Sequence, residues 1–229
     1  MRLSASIMAH PARADYVAEL KASLDRDVPV AWAANAEPSK RPEDRWRTGR
    51  LAWEMHDTEA DYHLVIQDDA VVAGRLLDSV ERMLNHVPGD GPISLYLGTK
   101  RPVQKVFLDL IRQADEQRAS WICARSISWG VAILAPTHTI SAMLRWCDTR
   151  RAMPYDMRVG RYYRDQLRQP AWYPWPSLAD HRTGPSLVGH DDHGRHAHRH
   201  HTGSAMRLRW TGPVVVDHRV ARRGLYPTA

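Results

Sequence analysis

The sequence predicts an α/β fold: one domain built on a mixed, mainly parallel sheet flanked by helices. Three observations carry this. Apolar runs of strand length alternate with stretches of helical spacing through residues 1–92. Strand, helix, strand, helix, strand is the order that builds parallel sheets through right-handed crossovers. Leu64, Val65 and Ile66, with Tyr62 before them, form a short buried strand that breaks off abruptly in Gln67-Asp68-Asp69. The 229 residues, 43% of them hydrophobic, hold enough apolar material for the core of one large domain or two small ones.

The elements come in this order. Leu3 to Met8 reads as a first strand ending at His10-Pro11. Arg13 to Arg26 is helical, with Tyr16, Val17, Leu20 and Leu24 on one face. Val28 to Ala33 is a second strand, and Asn35 to Pro42 is a polar loop rich in breakers. Glu43 to His56 is a helix carrying Trp46, Gly49, Trp53, Arg45, Arg47 and Arg50. The carboxylate strand comes next, then a helix from Gly74 to Val87, a PGDGP turn and a strand from Ile93 to Gly98. Lys100 to Gln117 fits either a helix or a lid. Trp121 to Ala124 and Gly130 to Leu134 are strands, and Pro136 opens a helix, a position proline tolerates. Tyr155 to Leu167 is an amphipathic helix, Trp172 to Trp175 a short strand, and Arg209 to Val216 a terminal strand or arm. Between them, Gly184 to Gly203 is polar and crowded with His190, His193, His196, His198, His200 and His201.

Composition narrows the function classes. Cys123 and Cys147 are the two cysteines, in different segments, which is neither a disulfide framework nor zinc spacing. A reducing cytoplasm is the expected compartment. No stretch approaches the roughly 18 apolar residues of a membrane span, and no secretory segment opens the chain. A net charge of +6 and a pI near 9.6 favour an anionic partner. Two adjacent carboxylates at the end of a buried strand repel each other and must be solvated, paired or bridged. A hard divalent cation, magnesium or manganese, would bridge them and keep positions open for phosphate oxygens. The carboxyl edge of an open α/β sheet is where ligands bind. The plainer reading is a strand-to-turn junction, since Asp favours turns.

Taken together, these features resemble the GT-A type of nucleotide-sugar glycosyltransferase, of a phage or actinobacterial kind. The resemblance rests on the N-terminal α/β half and on Gln67-Asp68-Asp69 as a "DXD-like" element. It also rests on Ser128-Trp129-Gly130, on Asp156 after Met153-Pro154-Tyr155, and on Trp175-Pro-Ser-Leu-Ala-Asp-His181 followed by Gly184-Pro-Ser-Leu-Val-Gly-His190. It covers the chain to about residue 203 and departs from the family in reading Gln-Asp-Asp rather than Asp-x-Asp. It implies a transferase domain over residues 1–203, with a nucleotide-binding half 1–92, an acceptor half 93–203 holding a His-rich loop 184–203, and a C-terminal arm 204–229. The implied cofactor is manganese or magnesium, held by Asp69 with His181 and His190. Donor contacts, to a nucleotide sugar such as a UDP-sugar, fall to His10, Asn35, Glu37, Arg47, Arg50, Asp68 and Trp129. Asp156 is the implied general base, although a carboxylate opening a helix is also a stabilising one. Arg195 and Arg199 would make the His-rich loop a lid over phosphates. The acceptor is a hydroxyl, on a hydroxymethylated base in DNA or else on a glycan or protein. A different class remains beside this one: a non-enzymatic basic α/β nucleic-acid-binding module.

Overall fold

The computed structural model describes residues 1–99, 104–184, 187 and 195–221, with side chains of 104–106 excepted. Its strands are β1 (Leu3–Ala9), β2 (Val30–Trp32), β3 (Tyr62–Gln67), β4 (Ala70–Val72), β5 (Ile93–Ser94), β6 (Trp121–Ala124), β7 (Ala132–Pro136), β8 (Ala171–Pro174), β9 (Ala179–His181) and β10 (Val214–Val216). Its helices are α1 (Ala14–Ser23), α2 (Pro42–Glu54), α3 (Leu76–Leu84), α4 (Gln104–Glu116), α5 (Thr137–Asp148), α6 (Tyr155–Arg161) and α7 (His218–Ala221). Eight strands form one sheet in the order β10-β6-β8-β5-β7-β3-β1-β2, and β4 pairs β9 in a separate ribbon.

The expected α/β sheet is present and it is mixed. β2, β1 and β3 run parallel, as the alternation of strands and helices requires. β7 then enters antiparallel between β3 and β5, and β6 lies antiparallel to β8. The sheet runs without a break through residues on both sides of position 92.

Both faces are covered, so the central strands are apolar on both sides. On one face Leu3, Ala5, Ile7, Leu64 and Ile66 pack against Val17 and Leu20 of α1 and against Leu76, Val80 and Met83 of α3. On the other, Val65, Ile133 and Ala135 pack against Trp46 and Trp53 of α2, Phe107 and Leu110 of α4, and Ile140 and Met143 of α5. The alternation Leu64, Val65, Ile66 thus divides one strand between two cores. α2 begins with Pro42 and has Glu43 and Asp44 in its first turn, both favourable at a helix start. Gly49 lets α2 approach α6: a Cβ there would lie 2.5 Å from the Tyr155 ring. Gly91 sits at φ +131° in the turn before β5, a conformation L side chains rarely adopt.

Several boundaries differ from expectation. The strand expected over Ile93 to Gly98 is only Ile93–Ser94. The Leu95 carbonyl turns to accept the Leu178 and Ala179 N–H groups, at 2.9 and 3.0 Å, which draws the chain out of the sheet. Tyr155 to Leu167 begins as α6 and then widens into a π-helical turn, Tyr162–Leu167, ended by Arg168 at φ 58°. Pro136 closes β7 and precedes α5 rather than opening it. Within Lys100 to Gln117, the described part is helix α4. β9 had no sequence signal, being three residues without an apolar run. The described part of the expected arm, 204–221, is tied in, because β10 lies parallel to β6 at the sheet edge. Among the described residues no helix is long and apolar enough to cross a membrane.

Candidate active-site cavity

A cavity of about 1240 Å³ opens along the carboxyl edge of β1, β2 and β3. Its floor is the turn between β3 and β4, which is Asp68-Asp69. The register Met8↔Gln67 sets the end of β1 beside the end of β3, so the turns leaving these two strands meet. The backbone N–H of His10 donates to Asp68 Oδ2 at 2.8 Å. His10 itself caps the 3-10 turn Pro11–Arg13, accepting from Ala12 N. That turn delivers Arg13, whose Nη1 donates to Asp68 Oδ1 at 2.9 Å and to Asp69 Oδ2 at 2.5 Å.

His181 completes the cluster from the other side. The β4–β9 register pairs Ala70 with His181, which sets the imidazole Nε2 3.2 Å from Asp69 Oδ2. Nδ1 donates to the Arg182 carbonyl at 2.7 Å, so Nε2 donates to the carboxylate when the ring is protonated. Asp68 and Asp69 are only 6% and 7% exposed, so their charges interact strongly. Burial raises the Asp68 pKa, and Asp69 beside it adds to the rise. Burial would raise Asp69 too, but the His181 hydrogen bond and the His181 and Arg13 charges outweigh it and lower its pKa. His181 loses basicity by burial and regains more from Asp69, ending raised. One Asp69 oxygen, Oδ1, is buried with no hydrogen-bond partner, and so is His10 Nε2. Among the described residues, no group of three or more His, Cys, Asp or Glu side chains is arranged to hold a metal ion.

Across the cavity stands Asp156, in the first turn of α6. Burial raises its pKa, partly countered by backbone N–H groups of that turn and by the Arg45 charge. Tyr155 beside it is buried against Trp46, with ring centroids 6.3 Å apart. Trp129 leans on Phe107 at 5.3 Å and on Tyr96 at 6.0 Å, which fixes its plane at the cavity wall.

Of the residues singled out in the sequence, His10, Asn35, Glu37, Arg47, Asp68, Asp69, Trp129, Asp156 and His181 all line this one cavity. Arg50 does not: its guanidinium pairs with Asp148 at 3.2 Å and with Glu54 one turn along α2. His190 lies outside the described residues. Arg195 lines the cavity, whereas Arg199 pairs with Asp115 at 2.6 Å. The described part of the His-rich loop is not the contact-free lid its composition suggests. Tyr96 donates to the Arg195 carbonyl at 2.5 Å, and Asp180 accepts from Ala197 N at 2.6 Å.

Sequence reasoning missed Arg13, Arg45, Arg125 and Arg161, which line the same space. Arg13 was within reach: once β1 neighbours β3, the first basic residue after β1 falls beside the carboxylates. The others come from α2, α6 and the β6–β7 connection, whose convergence no local pattern announces. No family model and no curated protein matched the chain when both were searched.

Proposed function

We propose that the cavity is the chamber of a GT-A type glycosyltransferase that moves a sugar from a nucleotide-diphosphate donor, such as a UDP-sugar, to an acceptor hydroxyl. The observation that carries this reading is the buried Asp68-Asp69 pair at the carboxyl edge of a parallel strand group, facing Asp156 across one cavity. A volume of about 1240 Å³ exceeds the roughly 300–1,000 Å³ of a single small-molecule site and leaves room for donor and acceptor together.

The residues present fit a manganese or magnesium ion. Asp69 offers a buried oxygen with no partner, and His181 Nε2 borders its other oxygen. One carboxylate and one imidazole are ligands that suit manganese, with the remaining positions left to phosphate oxygens and water. Asp69 and His181 would hold the ion, which would supply Lewis-acid stabilisation of the leaving diphosphate. Arg13 already pairs with both carboxylates and lies within reach of the same phosphates, so it supplies positive charge at the leaving group. Asn35 and Glu37, beyond β2, take the ribose or base. Trp129 offers a fixed aromatic wall for the sugar or base. Asp156 accepts the proton of the acceptor hydroxyl as it attacks, and a raised pKa suits that task.

Calorimetry with UDP, with and without manganese, tests the donor site. The wild type is expected to bind UDP more tightly with the ion. Asp69→Ala is expected to lose that gain, by at least the roughly 10- to 100-fold that even outer-shell partners contribute, while staying folded with a lower melting temperature. Manganese-independent binding, unchanged in the variant, would refute the site.

A further inference from the structure

The acceptor end of the cavity is basic in a particular way. Arg45 from α2 and Arg161 from α6 face it, and each has its Nε buried without a hydrogen-bond partner. Arg164 and Arg219 also line the space, but Asp165 and Asp217 neutralise them. The cavity does not close beyond Asp156. Pro154, Met157 and Arg161 are shared with a second, shallower depression of about 410 Å³, whose far side is Arg150 and Arg151. Among the described residues no carboxylate lies within ion-pair distance of Arg45, Arg150, Arg151 or Arg161.

The rim that carries the outer arginines is built rigidly. Arg158 is 1% exposed and donates to the Met153 carbonyl at 2.7 Å, the Arg151 carbonyl at 2.6 Å and the Cys147 carbonyl at 3.3 Å. It holds the loop after α5 by its inward carbonyls, and Arg150 and Arg151 are left exposed. Arg150 is fixed further by stacking 4.5 Å over Trp146. A buried guanidinium bonded to carbonyls alone adds its own positive field beneath the rim.

We infer that this track, from Arg45 and Arg161 at Asp156 out to Arg150 and Arg151, holds the phosphodiester backbone of a single nucleic-acid strand whose target nucleotide enters the cavity as acceptor. Unpaired arginines at successive positions suit successive phosphates, and guanidinium matches phosphate geometry. Trp129 and Phe107 give the cavity an aromatic wall, as strand-binding grooves provide for unstacked bases. A cavity of about 1240 Å³ has room for one nucleotide out of a stack and not for a duplex. The track takes its direction from the assignment of Asp156 as base and so rests on the transferase reading.

The test is fluorescence anisotropy of the full chain with a labelled single-stranded oligonucleotide over a salt series. Binding is expected to weaken with salt, with a slope of log K on log salt of roughly −0.7 per phosphate contacted. Arg150→Glu with Arg151→Glu is expected to flatten that slope by roughly 1.4 and to weaken binding at least tenfold. Arg150→Lys with Arg151→Lys is expected to keep most of both. Manganese-dependent UDP binding and the melting temperature should not change in either. An oligonucleotide unbound at low salt, or bound by the glutamate variant as by wild type, would overturn the track. So would equal binding of a heparin fragment of the same charge or of anionic vesicles, which would mean a general polyanion surface. Loss of UDP binding by the wild type with the oligonucleotide result intact would sink the donor site and spare the track.

Discussion

At Asp156 two roles meet in one side chain, and one substitution separates them. Asparagine keeps the shape and serves nearly as well at a helix start. As general base, Asp156→Asn is expected to lower the transfer rate by roughly a hundredfold or more, with donor affinity and melting temperature unchanged. A variant with wild-type initial rate would leave the carboxylate a helix-stabilising group. His181 and Asp69 make a second residue-scale prediction, in the metal-free protein. The folded state raises the His181 pKa above its ordinary 6.5, so the imidazolium's contribution is full below about pH 6.5 and fades as pH rises through the folded value. Asp69 is lowered, so its contribution stands above about pH 3.8 and fades only as pH falls through the folded value. Melting temperatures of wild type and His181→Gln in chelator should therefore differ most at mildly acid pH and converge as the pH rises past the folded His181 value. A constant gap would mean that His181 does not titrate against Asp69.

Elements repay the same reading. α2 and α6 touch at Gly49, where the Tyr155 ring fills the space a Cβ would take. Tyr155 is 4% exposed and wedged against Trp46, so it has nowhere to swing. Gly49→Ala is expected to cost about 1–3 kcal/mol by overpacking. It should also push α6 outward, carrying Asp156 with it, so kcat should fall more than UDP affinity does. A melt and a UDP titration check both. The sequence showed each of these helices and nearly every strand, because apolar spacing is a local property. It showed neither β4 nor β9, each three residues long, and it overran β5, because the Leu178 and Ala179 N–H groups donate to the Leu95 carbonyl and bend the chain there. Of the site, Asp68 and Asp69 were legible as charges where an apolar run ends, and Asp156 as a carboxylate opening a helix after Pro154. The arginine set was not, since Arg45, Arg125 and Arg161 are brought together only by packing α2, α6 and the β6–β7 connection around one space.

At the scale of the whole molecule, the sheet draws strands from both ends of the chain, with β10 at one edge and β2 at the other. Such pairings close long loops and form late relative to local structure. His181 reaches Asp69 only when β9 pairs with β4, whereas Arg13, β1 and β3 all lie in the first part of the chain. During synthesis, at about 5–20 residues per second, the acidic turn emerges on the order of ten seconds before its imidazole. For that interval Arg13 can serve as a counter-ion made in advance. The nascent sheet can bury both carboxylates without waiting for the late strand or for an ion from the cell, so maturation of the polypeptide and loading of the site become separate events.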